Sequence, residues 1–152
     1  MTIITAKGVY DANNERAGWA CTVFDEITSR QVCYSGPMSG IASPSQADLA
    51  AIQCAIETAI QGGVLSSMSR VEIRTNCQEA VAVLLSTIPA SRVIGDTLVA
   101  PAKKVTARLS SFSALRLIRE HVQKHNLAVV FRVAMDRSVV ERARDSMPGI
   151  RR

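Results

Sequence analysis

Aromatic residues make up only 4% of this 152-residue chain, while 47% of it is hydrophobic. A globular core therefore has to be assembled from Val, Ile, Leu and Ala. No run approaches the roughly 20 apolar residues that a membrane-spanning helix needs, which excludes that class of membrane partner. The start, Met-Thr-Ile-Ile-Thr-Ala-Lys, lacks the plan of a secretory signal. Four cysteines (Cys21, Cys33, Cys54, Cys77) form no Cys-x-x-Cys pair, and each sits in an apolar stretch. Reduced structural thiols in an intracellular, cytoplasmic protein are expected, rather than disulfides or a zinc site. Repeats, low-complexity tracts and linkers are also missing, so residues 1–152 read as a single domain.

Charge is present but uneven. Residues 1–100 carry six Lys/Arg against nine Asp/Glu, and residues 101–152 carry twelve against four, for a net +5. A basic C-terminal third suits a polyanion and makes nucleic acid the expected partner.

The chain is organised around Ser43 to Glu57. Ser43 suits an N-cap and Pro44 the first helical position. Leu49, Ile52, Ile56 and Ile60 recur at helical spacing, and Gly62-Gly63 ends the run. Asp48 stands out. At about 100° per residue it falls on the side of Ile52, Ala55 and Ile56. A carboxylate there needs a partner or a metal unless it is a half-solvated first-turn residue.

Residues 2–11, 17–24 and 31–36 read as three consecutive strands joined by polar turns, an antiparallel meander. After the Ser43 helix, Arg70 to Thr75 alternates with period two and predicts a fourth strand. A helix is expected from Gln78 to Leu85, a short basic one over Ala102 to Leu109, and another from Ser113 to Asn126. A fifth strand over Leu127 to Val133 and a last helix over Ser138 to Met147 complete the order. The sum is an α/β fold, a mixed sheet covered by helices.

That order, with its local motifs, resembles the RNase H family. Val9-Tyr10-Asp11-Ala12-Asn13 with Ala17-Gly18-Trp19-Ala20 is similar to the family's opening strand, turn and second strand. Asp48-Leu49-Ala50-Ala51-Ile52-Gln53-Cys54-Ala55-Ile56 is similar to its Glu-Leu-x-Ala helix. Val71-Glu72-Ile73-Arg74-Thr75-Asn76-Cys77 matches its Thr-Asp-Ser strand end. Val130-Phe131-Arg132-Val133 with Val140-Glu141-Arg142-Ala143-Arg144-Asp145 resembles its last strand and helix. The resemblance implies a five-stranded sheet: the meander plus parallel strands, flanked by helices.

It also implies chemistry. Family members cut the RNA strand of RNA/DNA hybrids with two divalent ions, magnesium or manganese, about 4 Å apart and held by clustered carboxylates. Carried over, the catalytic positions are Asp11, Asp48, Asn76 and Asp145, with Asp11, Asp48 and Asp145 as metal ligands. The chain departs from the pattern at each. An ungapped match puts Lys7 rather than Asp11 at the first position, although Asp11 closes the strand and a short turn deletion would align it. Asp48 is one methylene shorter than Glu, and Asn76 has lost a charge. Arg144 sits where the last Asp is expected, with Asp145 one residue, about 100°, further round. The family's mobile His has no counterpart after the fifth strand, where Asp136 and Arg137 stand. His121 and His125 are four apart on the earlier helix and can share a face, as polar surface residues rather than a zinc pair.

Two outcomes follow from the resemblance. One is a nuclease of weakened activity, its second metal the more endangered. The other is a catalytically inactive module that binds nucleic acid or a protein within a larger assembly. A-form-like hybrids are recognised by shape and backbone phosphates. Lys103, Lys104 and Arg108 resemble a basic protrusion, and Arg132, Arg137, Arg142, Arg144, Arg151 and Arg152 could extend the positive surface. Trp19 is expected in the core.

Overall fold

The computed structural model describes residues 1–95 and 112–149. Three strands open the chain: β1 (Thr2–Asp11), rich in β-branched residues, β2 (Arg16–Asp25) and β3 (Arg30–Met38). Each strand pairs antiparallel with the next, as the meander reading required. The 18-residue helix α1 (Pro44–Gln61) follows, then β4 (Arg70–Thr75) and α2 (Gln78–Thr87). A 3₁₀ turn (Ala90–Arg92), α3 (Ser113–Lys124), β5 (Ala128–Val133) and α4 (Arg137–Asp145) complete the described elements. The expected basic helix, with Lys103, Lys104 and Arg108, lies outside the described residues, as do Arg151 and Arg152.

Among the described residues five strands form one sheet in the order β3-β2-β1-β4-β5. β4 pairs parallel with both β1 and β5, so β1 is the pivot between the meander and the parallel half. The sheet is mixed, as expected. β4 is six residues long against ten for β1. Its register pairs Thr5 with Arg74, so the C-terminal part of β1 runs beyond the end of β4.

Period-two alternation divides the sheet's faces. Ile4, Ala6, Cys21, Val23, Ile73 and Phe131 pack with Leu49, Ile52, Ile56, Leu115, Ile118 and Val122 of α1 and α3 in the main core. Trp19 is buried in that core, not offered to a ligand. On the other face Ala20 meets Val139 and Ala143 of α4. Gly18 is required there, because a side chain would strike Ser146 and the Ala143 carbonyl.

Helix ends follow their sequence signals. The Ser43 hydroxyl accepts the Gln46 amide at 3.2 Å, and the Gln46 side chain returns to accept from the Ala42 amide at 2.9 Å. Gly63, at φ 71°, supplies the left-handed residue that lets the chain leave α1. Asp136 caps α4 by accepting from the Ser138 amide. His121 and His125 do share a face of α3, ring centroids 6.3 Å apart, and His121 Nε2 lies 3.6 Å from a Glu57 oxygen on α1.

Candidate functional site

The awkward carboxylate of the first helix is the centre of the site. Asp48 is only 3% exposed, so the half-solvated alternative does not hold. It is placed by a close approach of α1 to β1: Gly8 lies against the Ala47 carbonyl with no room for a Cβ. That proximity lets the Gly8 amide donate to Asp48 Oδ1 at 3.0 Å.

The second partner is a cation. Lys7 Nζ stands 3.2 Å from both Asp48 oxygens and 3.0 Å from Asn76 Oδ1. Lys7 reaches Asn76 because β4 has ended one residue earlier, at Thr75. Three elements thus converge, β1, α1 and the end of β4, with an ammonium at their meeting point. Burial pushes the Asp48 carboxyl above its ordinary pKa of 3.8, and Lys7 with the Gly8 amide only partly offsets that cost.

Asp11 is elsewhere engaged. Its carboxylate accepts from Arg16 Nε at 3.0 Å, from Asn14 Nδ2 at 2.8 Å and from the Asn13 amide at 3.2 Å. These bonds hold it below the usual carboxylate range. Asp48 therefore meets Lys7 and not Asp11, the outcome of the ungapped alignment. The physical reason is register: Gly8, directly after Lys7, is the residue that faces α1, whereas Asp11 closes the β1–β2 hairpin opposite Arg16. On α4, Arg144 lines the cleft with Lys7, Asp11 and Arg16, and Asp145 is exposed at the helix end. Arg137 and Arg142 are exposed on the same helix, and Arg137 pairs with Glu141.

The expected set Asp11, Asp48 and Asp145 is not brought together as a metal cage. Among the described residues no three His, Cys, Asp or Glu side chains group so as to hold a metal ion. The donor set fits a divalent cation poorly on its own chemistry. Of Lys7, Asp48, Asn76 and Arg144, one side chain is anionic and two are cationic, whereas magnesium requires charged or neutral oxygens. The lysine instead supplies the positive charge that the buried Asp48 needs.

Gly8 and Arg16 carried no site role in the sequence pattern, and Lys7 entered only as the ungapped alternative to Asp11. The signal for Lys7 and Gly8 was present in the spacing to Gly18-Trp19. Nothing in the sequence signalled that Arg16 would bridge Asp11 and the Pro148 carbonyl, 132 residues away.

Comparison with known proteins agrees with this architecture. Residues 5–133 match a family described as reverse transcriptase-like. Among solved structures, the N-terminal RNase H domain of a Mycobacterium tuberculosis protein, fused to maltose-binding protein, is 12% identical with a TM-score of 0.67. The match covers 95% of this chain and 91% of that one. RNase H1 from the archaeon Halobacterium salinarum is 16% identical, TM-score 0.66, covering 96% and 93%. An RNase H1 isolated from compost, LC11, solved in complex with an RNA/DNA hybrid, is 19% identical, TM-score 0.64, covering 97% and 94%. No curated protein matches the chain.

Proposed function

The chain belongs to the reverse transcriptase-like family of RNase H-like proteins, and on that premise we propose that it is a non-cutting module that binds nucleic acid of A-form character, such as an RNA/DNA hybrid. One observation carries the reading: the Lys7 ammonium on Asp48 and Asn76. Two-metal hydrolysis needs a concentration of negative charge that holds four positive charges close together. Here the buried carboxylate of the site, Asp48, is already paired with a cation, and a metal would have to displace that tethered ammonium. Asn76, neutral, adds an acceptor but no charge.

Binding makes smaller demands. The LC11 enzyme was solved with an RNA/DNA hybrid, and a shared sheet supports the same kind of ligand for this chain. Recognition of A-form duplexes rests on backbone phosphates and 2′-hydroxyls, which do not require a metal. The net +5 and the exposed Arg132, Arg137, Arg142 and Arg144 favour it.

The test is an end-labelled RNA/DNA hybrid incubated with the protein in magnesium and in manganese, alongside a binding titration at several salt concentrations. The expected result is an intact hybrid and an affinity that falls steeply with salt. Metal-dependent cutting would overturn the reading in favour of a nuclease with Asp11, Asp48 and Asp145 as ligands. Neither cutting nor binding would leave a protein partner as the remaining role for the fold.

A further inference from the structure

The cleft beside Lys7 has a use that follows from its charge. It opens between the end of β1, the start of α1 and the end of α4, with a volume of about 590 Å³. Lys7, Tyr10, Asp11, Arg16 and Arg144 are among the residues that line it. Counting Asp48 beneath, three cations face two carboxylates, and both carboxylates are spoken for, Asp48 by Lys7 and Asp11 by Arg16. Among the described residues Arg144 makes no ion pair, and it is exposed. An ammonium has three N–H donors, and the hydrogen bonds to Asp48 and Asn76 use two of them. Lys7 and Arg144 line the same open space, with donor capacity beyond the bonds to Asp48 and Asn76.

From this geometry we infer that the cleft is a seat for one backbone phosphate of a bound nucleic acid, held by the Lys7 ammonium and Arg144. The inference deepens the binding reading above and rests on it for the identity of the ligand. Lys7 serves both roles because Asp48 fixes its position while taking up only part of its donor capacity. Arg144 provides the planar fork that suits phosphate oxygens. Asp11 keeps Arg16 on the cleft wall, where its charge adds to the field without requiring direct contact. The seat binds and positions; no bond is made or broken in it.

Two measurements on the whole chain test the inference. The first compares Arg144→Ser with Arg70→Ser in hybrid binding across a salt series. Arg70 is exposed at the opposite end of β4, so the two changes remove the same charge from different places. The expected result is several-fold weaker binding for Arg144→Ser, with the slope of log K against log salt reduced by about one. Arg70→Ser should leave both nearly unchanged. Equal effects of the two variants, or no effect of Arg144→Ser, would overturn the seat while leaving the binding reading intact.

The second measurement adds inorganic pyrophosphate to the unaltered protein and follows backbone amides by NMR. Saturable shifts at Lys7, Gly8 and Arg144 are expected. If the protein ignores the hybrid yet shows those shifts, the seat stands and the nucleic-acid reading fails. If it ignores both, the two fall together.

Discussion

Gly8 lies against the carbonyl of Ala47 so closely that a Cβ on Gly8 would overlap it, and this contact sets the position of everything at the site. Because β1 and α1 touch backbone to backbone there, the Gly8 amide reaches Asp48 and the adjacent Lys7 arrives over the same carboxylate. Gly8→Ala would have to push α1 off the sheet. Overpacking of a closed interface costs about 1–3 kcal/mol, and the upper end is expected here because the obstacle is main chain. Urea unfolding of the variant should show a lower midpoint, with the Lys7–Asp48 pair disrupted as well.

Lys7 and Asp48 form a pair that is costly to break and cheap to replace. The Lys7 side chain is 16% exposed and that of Asp48 4% exposed, so removing one partner strands the other in a poorly solvated place. Lys7→Met should destabilise by roughly 3 kcal/mol, whereas Lys7→Met with Asp48→Leu should recover most of that loss. A double-mutant cycle by chemical denaturation reads the difference directly. Additive losses would mean that the pair is not coupled.

The pH dependence of stability has a defined sign. Burial raises the Asp48 pKa above 3.8, so the folded state holds that proton more tightly than the unfolded state does. Its contribution is fully present below about pH 3.8 and is lost as pH rises through the folded value. Asp11 and Asp136, both lowered, act in the opposite sense: their contributions are present above 3.8 and fade as pH falls below it. Thermal unfolding of the unaltered protein and Asp48→Asn between pH 3 and pH 7 isolates the first effect. The unaltered protein should lose stability relative to the variant as pH rises above 3.8 and through the raised folded-state value. A difference independent of pH would mean that Asp48 titrates normally.

The architecture was legible because its signals are local. Ser43-Pro44 and Gly62-Gly63 bracket α1, and alternation in Arg70–Thr75 marks β4 with its observed ends. Burial of Asp48 was foreshadowed by its position beside Ile52 and Ile56. What the sequence could not resolve was a question of register. Lys7 and Asp11 both lie on β1, and choosing between them depends on where a parallel neighbour, paired at an offset of 69 residues, stops. Tyr10-Asp11 looks like a strand-end acid, and it is one, but its partner is Arg16 across the hairpin. The same holds for Arg144 and Asp145, where one residue decides which side chain lines the cleft. The spacing to Gly18-Trp19 contained the answer for Lys7, because an uninterrupted hairpin keeps its register.

If cation replacement is what silences the site, reversing the charges should bring a metal back. The variant Lys7→Asp with Asn76→Asp places three carboxylates where the ammonium now stands, and adding Arg144→Asp removes the remaining cation of the cleft's α4 wall. Without metal these variants should be less stable than the unaltered protein, since like charges crowd a buried space. Added manganese should raise their melting temperatures, with a shift that grows as the logarithm of its concentration once the site is filled, as a ligand of the folded state alone must. The unaltered protein should show no such shift. Hybrid cutting by the triple variant would then assign the loss of activity to three side chains. Manganese binding without cutting would show that restoring charge is insufficient, and that hydrolysis needs a substrate pose which the altered cleft no longer gives.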